Sequence, residues 1–308
     1  MRVLVAGATG VIGRQLLPLL IQAGHDVVAL ARTPMRPDMG YDVVLADALD
    51  RKATASAVDK AEPDAVVHLL TAIPKQLNPK RLASEFAVTN RLRTEGTANL
   101  VDAARAAGDT RVIAQGLAYA YRPSGAQPAD EDTAFWTDGP KQFRPVVEAL
   151  IEHERITRDA DGLVLRFGHL YGPGSAYAPD GHFTRQVRAG KVPIVGGGDS
   201  VFSFTHARDA ATAVVAALAS PLTGALNIVD DNPTPIRTWL PEMAALLGSA
   251  APKKAPAWLA RTAVGSWGVA FMTSLSGADN ARARAQLGWS PDYPSWQQGF
   301  TAGLADRG

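Results

Sequence analysis

Six short apolar runs, separated by stretches with helical spacing, constrain this chain more than any other feature. "RVLVA" (2–6), "DVVAL" (26–30), "DVVLA" (42–46), "DAVVHL" (64–69), "RVIAQ" (111–115) and "LVLRF" (163–167) are β-branched and nearly continuous in apolar character. Strands read this way when both faces of their sheet are covered. Between them, residues 11–24, 51–61, 81–108 and 144–160 carry apolar side chains three and four apart. Strand and helix in alternation predict an α/β chain with a doubly wound parallel sheet, the Rossmann arrangement. Gly24 and Gly108 stand where helices should stop and reverse. Past residue 170 the rhythm gives way to loops rich in glycine and proline, "YGPGSAYAPDG" and "VPIVGGGDS". We therefore expect a dinucleotide-binding domain over 1–170, joined by a later strand and helix near 200–230. Residues 171–308 form mostly a smaller substrate-covering region. Within it, "AWLARTAVGSWGVAFM" is apolar around much of its circumference and reads as a core or lid helix.

The loop after the first strand, "VAGATGVIG", gives the fold a ligand. Gly7 lets the chain turn, Gly10 lets backbone approach a pyrophosphate, and Gly13 lets helix and strand pack closely. Amides around Thr9, Val11 and Ile12 at the helix start then face the anion. The second strand ends in Ala31 and Arg32, with no acidic residue to bind an adenosine ribose. Arg32 suits a 2′-phosphate, which favours NADP(H) over NAD(H). Asp47 and Ala48, after the third strand, stand where the adenine would lie; Asp47 is equally a candidate helix cap. Leu70 and Thr71 follow the fourth strand, Thr71 with a hydroxyl for the cofactor or for a turn. Gln115 on the fifth strand can face substrate or satisfy a buried backbone group.

With 31 Lys plus Arg against 30 Asp plus Glu, the net charge is +1, and no basic stripe with interleaved aromatics suggests nucleic acid. Lys253 and Lys254 read as a solvated linker. The chain has no cysteine, which excludes disulfides and thiolate chemistry and fits a reducing cytoplasm. No apolar run reaches membrane-spanning length, and a strand beginning at residue 2 leaves no room for a signal peptide. Asp180, His182 and His206 have no spacing that brings three metal ligands together. A Gly-x-Ser-x-Gly elbow is also missing, which leaves a serine hydrolase unsupported.

Taken together, "VAGATGVIG", "VVHLL", "LRFGHLYGPG", "SFTHARDAA", "ALNIVDDNP" and "LGWSPDYPSWQQGF" resemble the extended short-chain dehydrogenases/reductases of the NAD-dependent epimerase/dehydratase family. "TNRLRTEGTANLVDAA" resembles a branch lacking the usual active site. The resemblance implies a Ser or Thr after the fifth strand and a Tyr-x-x-x-Lys on the next long helix. Here Leu117 stands at the hydroxyl position, and Val146 and Leu150, aligned through Glu154, stand for tyrosine and lysine. No Tyr-x-x-x-Lys occurs anywhere in the chain. Phe167 and Gly168 are implied as contacts to the nicotinamide carboxamide. His169 follows on the substrate side and is the first candidate to move a proton; Tyr119 and Tyr121 are the others. Phe202 stands where sugar-nucleotide members carry a diphosphate-binding arginine, which disfavours a nucleotide sugar. A homodimer through the two long helices is a family-level expectation. Three functions stay open: an NADP(H)-dependent oxidoreductase on a small carbonyl or alcohol with an unusual proton donor, a non-catalytic NADP(H) sensor, and an epimerase or dehydratase with retained cofactor.

Overall fold

Seven apolar runs pair into one sheet in the computed structural model, which describes residues 1–35, 40–74, 76–125 and 127–305, the side chains of 304 and 305 excepted. They are β1 (Arg2–Ala6), β2 (Asp26–Ala31), β3 (Asp42–Leu45), β4 (Ala65–His68), β5 (Arg111–Leu117), β6 (Leu163–Phe167) and β7 (Gly224–Ile228). Their order is β7-β6-β5-β4-β1-β2-β3, and every neighbouring pair is parallel. The strand order reverses between β1 and β4, and the carboxyl ends of those strands open the crevice where such sheets take ligands.

Both faces are covered. On one, α1 (Gly13–Gln22) and a later helix, Ala207–Leu218, bury Leu16, Leu20, Ala210 and Val214 against Val3, Val5 and Val67. On the other, α2 (Arg51–Ala61) and α3 (Thr97–Ala107) bury Val58, Ala61, Leu100 and Val101 against Leu4, Val28 and Val66. The helix α4 (Arg144–Arg158) packs beside α3. In α2 the cap is Asp50, whose carboxylate accepts the amides of Lys52 and Ala53, both at 3.0 Å.

One predicted helix departs from expectation. Residues 81–108 do not form one regular helix: Leu82–Glu85 and Ala87–Arg91 lead into a π-helical turn, Leu92–Gly96, before α3 begins. The Thr94 hydroxyl donates to the Asn90 carbonyl (3.1 Å) and the Thr97 hydroxyl to that of Arg93 (2.6 Å). Hydroxyls that bond back to the preceding turn compete with the helix ladder and loosen it there.

Beyond β6 the chain builds a second, aromatic core from short strand pairs and helices. His169–Tyr171 pairs with Phe204–His206, and Val201–Phe202 pairs with Thr234–Pro235. A helical segment, Ala257–Thr273, is broken at Gly265, whose φ of 74° and ψ of −178° are not helical. Its first half leaves Trp258 and Leu259 exposed. The second half buries Trp267, stacked on Phe143 with ring centroids 3.7 Å apart. No helix among the described residues is long and apolar enough to cross a membrane.

Candidate active site

At the crevice the three loop glycines divide their work. Gly7 has φ +101°, and a Cβ there would stand 2.8 Å from the Leu69 backbone at the end of β4. At Gly13 a Cβ would lie 2.4 Å from the Gly7 carbonyl oxygen and 2.5 Å from that of Ala8, so α1 could not close onto the loop. Gly10 is different: its Cβ would meet only the Gly7 oxygen, at 3.2 Å. The amides of Val11 and Ile12 have no backbone acceptor among the described residues. Thr9 and Gly10 are exposed, Val11 is half-buried, and Ile12 is buried beneath them. This is a helix start with free donors and room above it, the form that holds a pyrophosphate.

The other expected cofactor residues lie on or just after the carboxyl-terminal parts of β2 to β6. Arg32 is exposed at the carboxyl end of β2 and joins no ion pair among the described residues. One Asp47 oxygen accepts the Leu49 amide at 3.0 Å in a local turn, while the helix cap itself is Asp50. Ala48 is buried and its carbonyl accepts from Asn99. Leu70 is half-buried and donates its amide to His68 Nδ1, and Thr71 is exposed. The Gln115 side chain donates to the Leu69 carbonyl at 3.2 Å, so it serves the backbone of β4's exit. The Phe167 carbonyl accepts from Ala118, and the Gly168 amide donates to Thr205 Oγ1 at 2.8 Å. A Cβ at Gly168 would lie 2.2 Å from the Ser203 oxygen, so glycine is needed there to admit the next strand pair.

The candidate proton carriers separate. His169 and Tyr119 come together: their rings stack with centroids 4.5 Å apart, and Phe202 stacks on the other side of His169 at 3.6 Å. Phe271, from the broken helix, meets His169 edge-on. The His169 ring makes no side-chain hydrogen bond among the described residues, and its buried Nε2 is unpartnered. Burial alone drives its pKa down to about 3, so the ring is neutral near pH 7. Burial also raises the Tyr119 hydroxyl, opposed by the nearby Arg93 cation.

Tyr121 is elsewhere, in a buried network. Its hydroxyl donates to Asn227 Oδ1 (2.5 Å) and accepts from Arg166 (2.8 Å). Arg166 is held by both Glu154 oxygens at 2.7 Å. The tyrosine thus joins β6, β7 and α4 and is spent on structure; burial, first among the causes, pushes its pKa above the usual value. Val146 and Leu150, at the positions of tyrosine and lysine by resemblance, are fully buried in the aromatic core, with Leu117 and Tyr119 packed against it.

Three residues at this site were not anticipated. His68, at the end of β4, and His153, on α4, share the Thr97 hydroxyl at 3.1 and 2.7 Å. Because that hydroxyl donates to the Arg93 carbonyl, both rings must donate to it. Burial, the largest cause in each case, lowers His68 to about 4 and His153 to about 3. Arg93 itself is buried on the π turn. Among the described residues no group of three or more His, Cys, Asp or Glu side chains could hold a metal ion.

Residues 3–229 match the NAD dependent epimerase/dehydratase family. The chain belongs to this family. A 3-diazoavenalumate denitrifying reductase from a Streptomyces species is 49% identical over 303 residues, covering 97% of this chain and 99% of that one. A ceramide reductase of Caulobacter vibrioides is 29% identical, covering 74% of this chain and 64% of that one. Among solved structures, the UDP-glucose 4-epimerase of Thermotoga maritima superposes with a TM-score of 0.76 at 20% identity, covering 99% and 98% of the two chains. The dTDP-glucose 4,6-dehydratase DesIV of Streptomyces venezuelae does so with 0.78 at 18%, covering 99% and 96%. At that identity the structures share the fold. The family and the reductase relative make this chain an enzyme of the oxidoreductase kind, which sets the sensor reading aside.

Proposed function

We propose that this enzyme is an NADP(H)-dependent reductase that delivers hydride to a small planar substrate carrying a diazo group, in a step that needs no proton from the protein. The observation that carries this reading is the apolar face of α4: Val146 and Leu150 are fully buried, so the face that would hold a tyrosine and a lysine has no group to give a proton. Hydride added to a carbonyl leaves an alkoxide that must be protonated. Hydride supplied by a bound nicotinamide to a carbon bearing N₂⁺ would not: the new C–H bond would form as the C–N electron pair departed with N₂. The neutral, unbonded ring of His169 supports the same reading, as does the name of the Streptomyces relative. The Phe202 ring, stacked on His169, supports a substrate without a diphosphate.

Mixing the enzyme with deuterated NADPH and 4-carboxybenzenediazonium should release N₂ faster than the same mixture without enzyme. Deuterium should enter the ring at the vacated carbon. Turnover of aldehydes and ketones with no enzyme-dependent N₂ release would overturn the reading. His169→Phe preserves the ring stack and should keep turnover within about tenfold. Loss of a general acid would cost about a hundredfold or more. Carbonyl reduction with Tyr119 as acid is the second reading, favoured by the Arg93 cation, which opposes the rise that burial gives its hydroxyl; the aldehyde arm of the assay decides it.

NADP(H) is preferred on the strength of Arg32. NADPH should bind about tenfold more tightly than NADH, and Arg32→Ala should remove most of that difference, as measured by calorimetry. Equal affinities in the wild type would refute the preference.

A further inference from the structure

Arg93 is buried without a counterion. It is 4% exposed, its Nη1 has no hydrogen-bond partner among the described residues, and no carboxylate there pairs with it. The contrast with Arg166 is direct, since that equally buried guanidinium is clamped by both oxygens of Glu154. A buried charge left unpaired opposes folding, so its retention calls for a reason in function. Burial lowers Arg93 only to about 10, so it stays protonated at neutral pH.

Its place explains the reason. The π turn that carries Arg93 packs against α4, the helix whose inner face has Leu150 in place of a lysine. The Thr97 hydroxyl, which donates to the Arg93 carbonyl and receives His68, ties the turn to the end of β4. Tyr119 packs against the same core as Leu150 and stacks on His169, at the exit of β6. His68 and His153, the other polar side chains there, both donate to Thr97 and are held neutral, so neither supplies a negative charge. The unpartnered Asn90 Oδ1, one turn earlier, is likewise uncharged.

We propose that Arg93 receives the carboxylate of an aromatic acid substrate beside the nicotinamide site. A ribose hydroxyl would leave the charge uncompensated, whereas a carboxylate matches the guanidinium fork and neutralises it. This deepens the reductase reading by adding the class of acid to it; the relative's substrate is also named as an acid anion. Arg93 then acts as a specificity and positioning residue, fixing the flat substrate so that its reacting carbon meets the hydride.

The test is a binding experiment on the NADPH-saturated enzyme, with cinnamate and methyl cinnamate as probes. Wild type should bind the acid at least about tenfold more tightly than the ester. Arg93→Leu should erase that difference, Arg93→Lys should keep part of it, and NADPH affinity should stay within about twofold in both variants. Cinnamate should raise the melting temperature of the wild type and leave Arg93→Leu unmoved. Without ligand, Arg93→Leu should melt no lower than wild type, because it removes an unpaired buried charge. Equal binding of acid and ester by the wild type would overturn the proposal. So would a loss confined to NADPH in Arg93→Leu, which would assign the residue to the cofactor. None of these readouts needs turnover, so a failed diazo assay with intact acid selectivity would sink the reductase reading and leave this one standing.

Discussion

Gly10→Val should bind NADPH at least about a hundredfold more weakly than the wild type while melting within a few degrees of it. The expectation comes from the space around the three glycines. A side chain at position 10 touches only the Gly7 carbonyl, 3.2 Å from its Cβ, and its branches extend into the open space above Val11 and Ile12 where a pyrophosphate would sit. The same substitution at Gly13 pushes a Cβ to within 2.4 Å of a carbonyl oxygen in the loop, so Gly13→Val should not fold normally. Calorimetry with NADPH and thermal melts on both variants check the pair. A well-folded Gly10→Val that binds normally would show that the loop does not hold the dinucleotide.

The apoenzyme should lose stability steeply as pH falls from about 6.5 toward 4. His68, His153 and His169 are all buried, with pKa values lowered to about 4, 3 and 3. Each lowered value means that the unfolded chain takes up a proton below pH 6.5 that the folded chain refuses. Their contribution is complete above pH 6.5 and is lost progressively as pH drops toward the folded values. Each ring costs roughly 1.4 kcal/mol per pH unit in that window, so the three together approach about 4 kcal/mol per unit. Asp209, raised to about 6 chiefly by burial, and Asp230, raised well above the usual carboxylate value by the same cause, act in the opposite sense and offset part of this. Urea midpoints measured between pH 7.5 and 5 should therefore fall. A flat profile would mean that the rings titrate as they do in water.

The sheet was legible in the sequence because its signal is local. Each of the first six strands holds at least three consecutive apolar residues, and each lies within a residue or two of its expected bounds. The glycine loop was legible for the same reason, since seven residues hold all three glycines. Other features were hidden by distance. The ring stack takes Tyr119 from the exit of β5, His169 from the exit of β6, Phe202 from a short strand and Phe271 from the broken helix. No periodicity links those four segments. Asp47 and Asp50 are both acids before α2, and only geometry shows that the second is the cap. Arg93 did leave a trace: Thr89, Arg93, Thr97, Leu100, Val101 and Ala104 follow inner-face spacing, and every one of them is buried. A charge on that stripe was the available signal.

The π turn at Leu92–Gly96 gives the enzyme a frame that cannot be tidied. Relative to an ordinary helix it holds one residue too many, and each residue advances a helix by about 100°. Deleting any one of the five would regularise the ladder and turn everything before it by that angle. Thr89, whose hydroxyl accepts the Ala72 amide at 3.0 Å, would swing off the exit of β4. Deleting Arg93 or a residue after it would also break the spacing that lets Thr97 reach back to the Arg93 carbonyl while receiving both histidines. The surplus residue thus works as a phase shifter, letting one helical rod serve the loop after β4 with its first half and the polar cluster around Thr97 with its second.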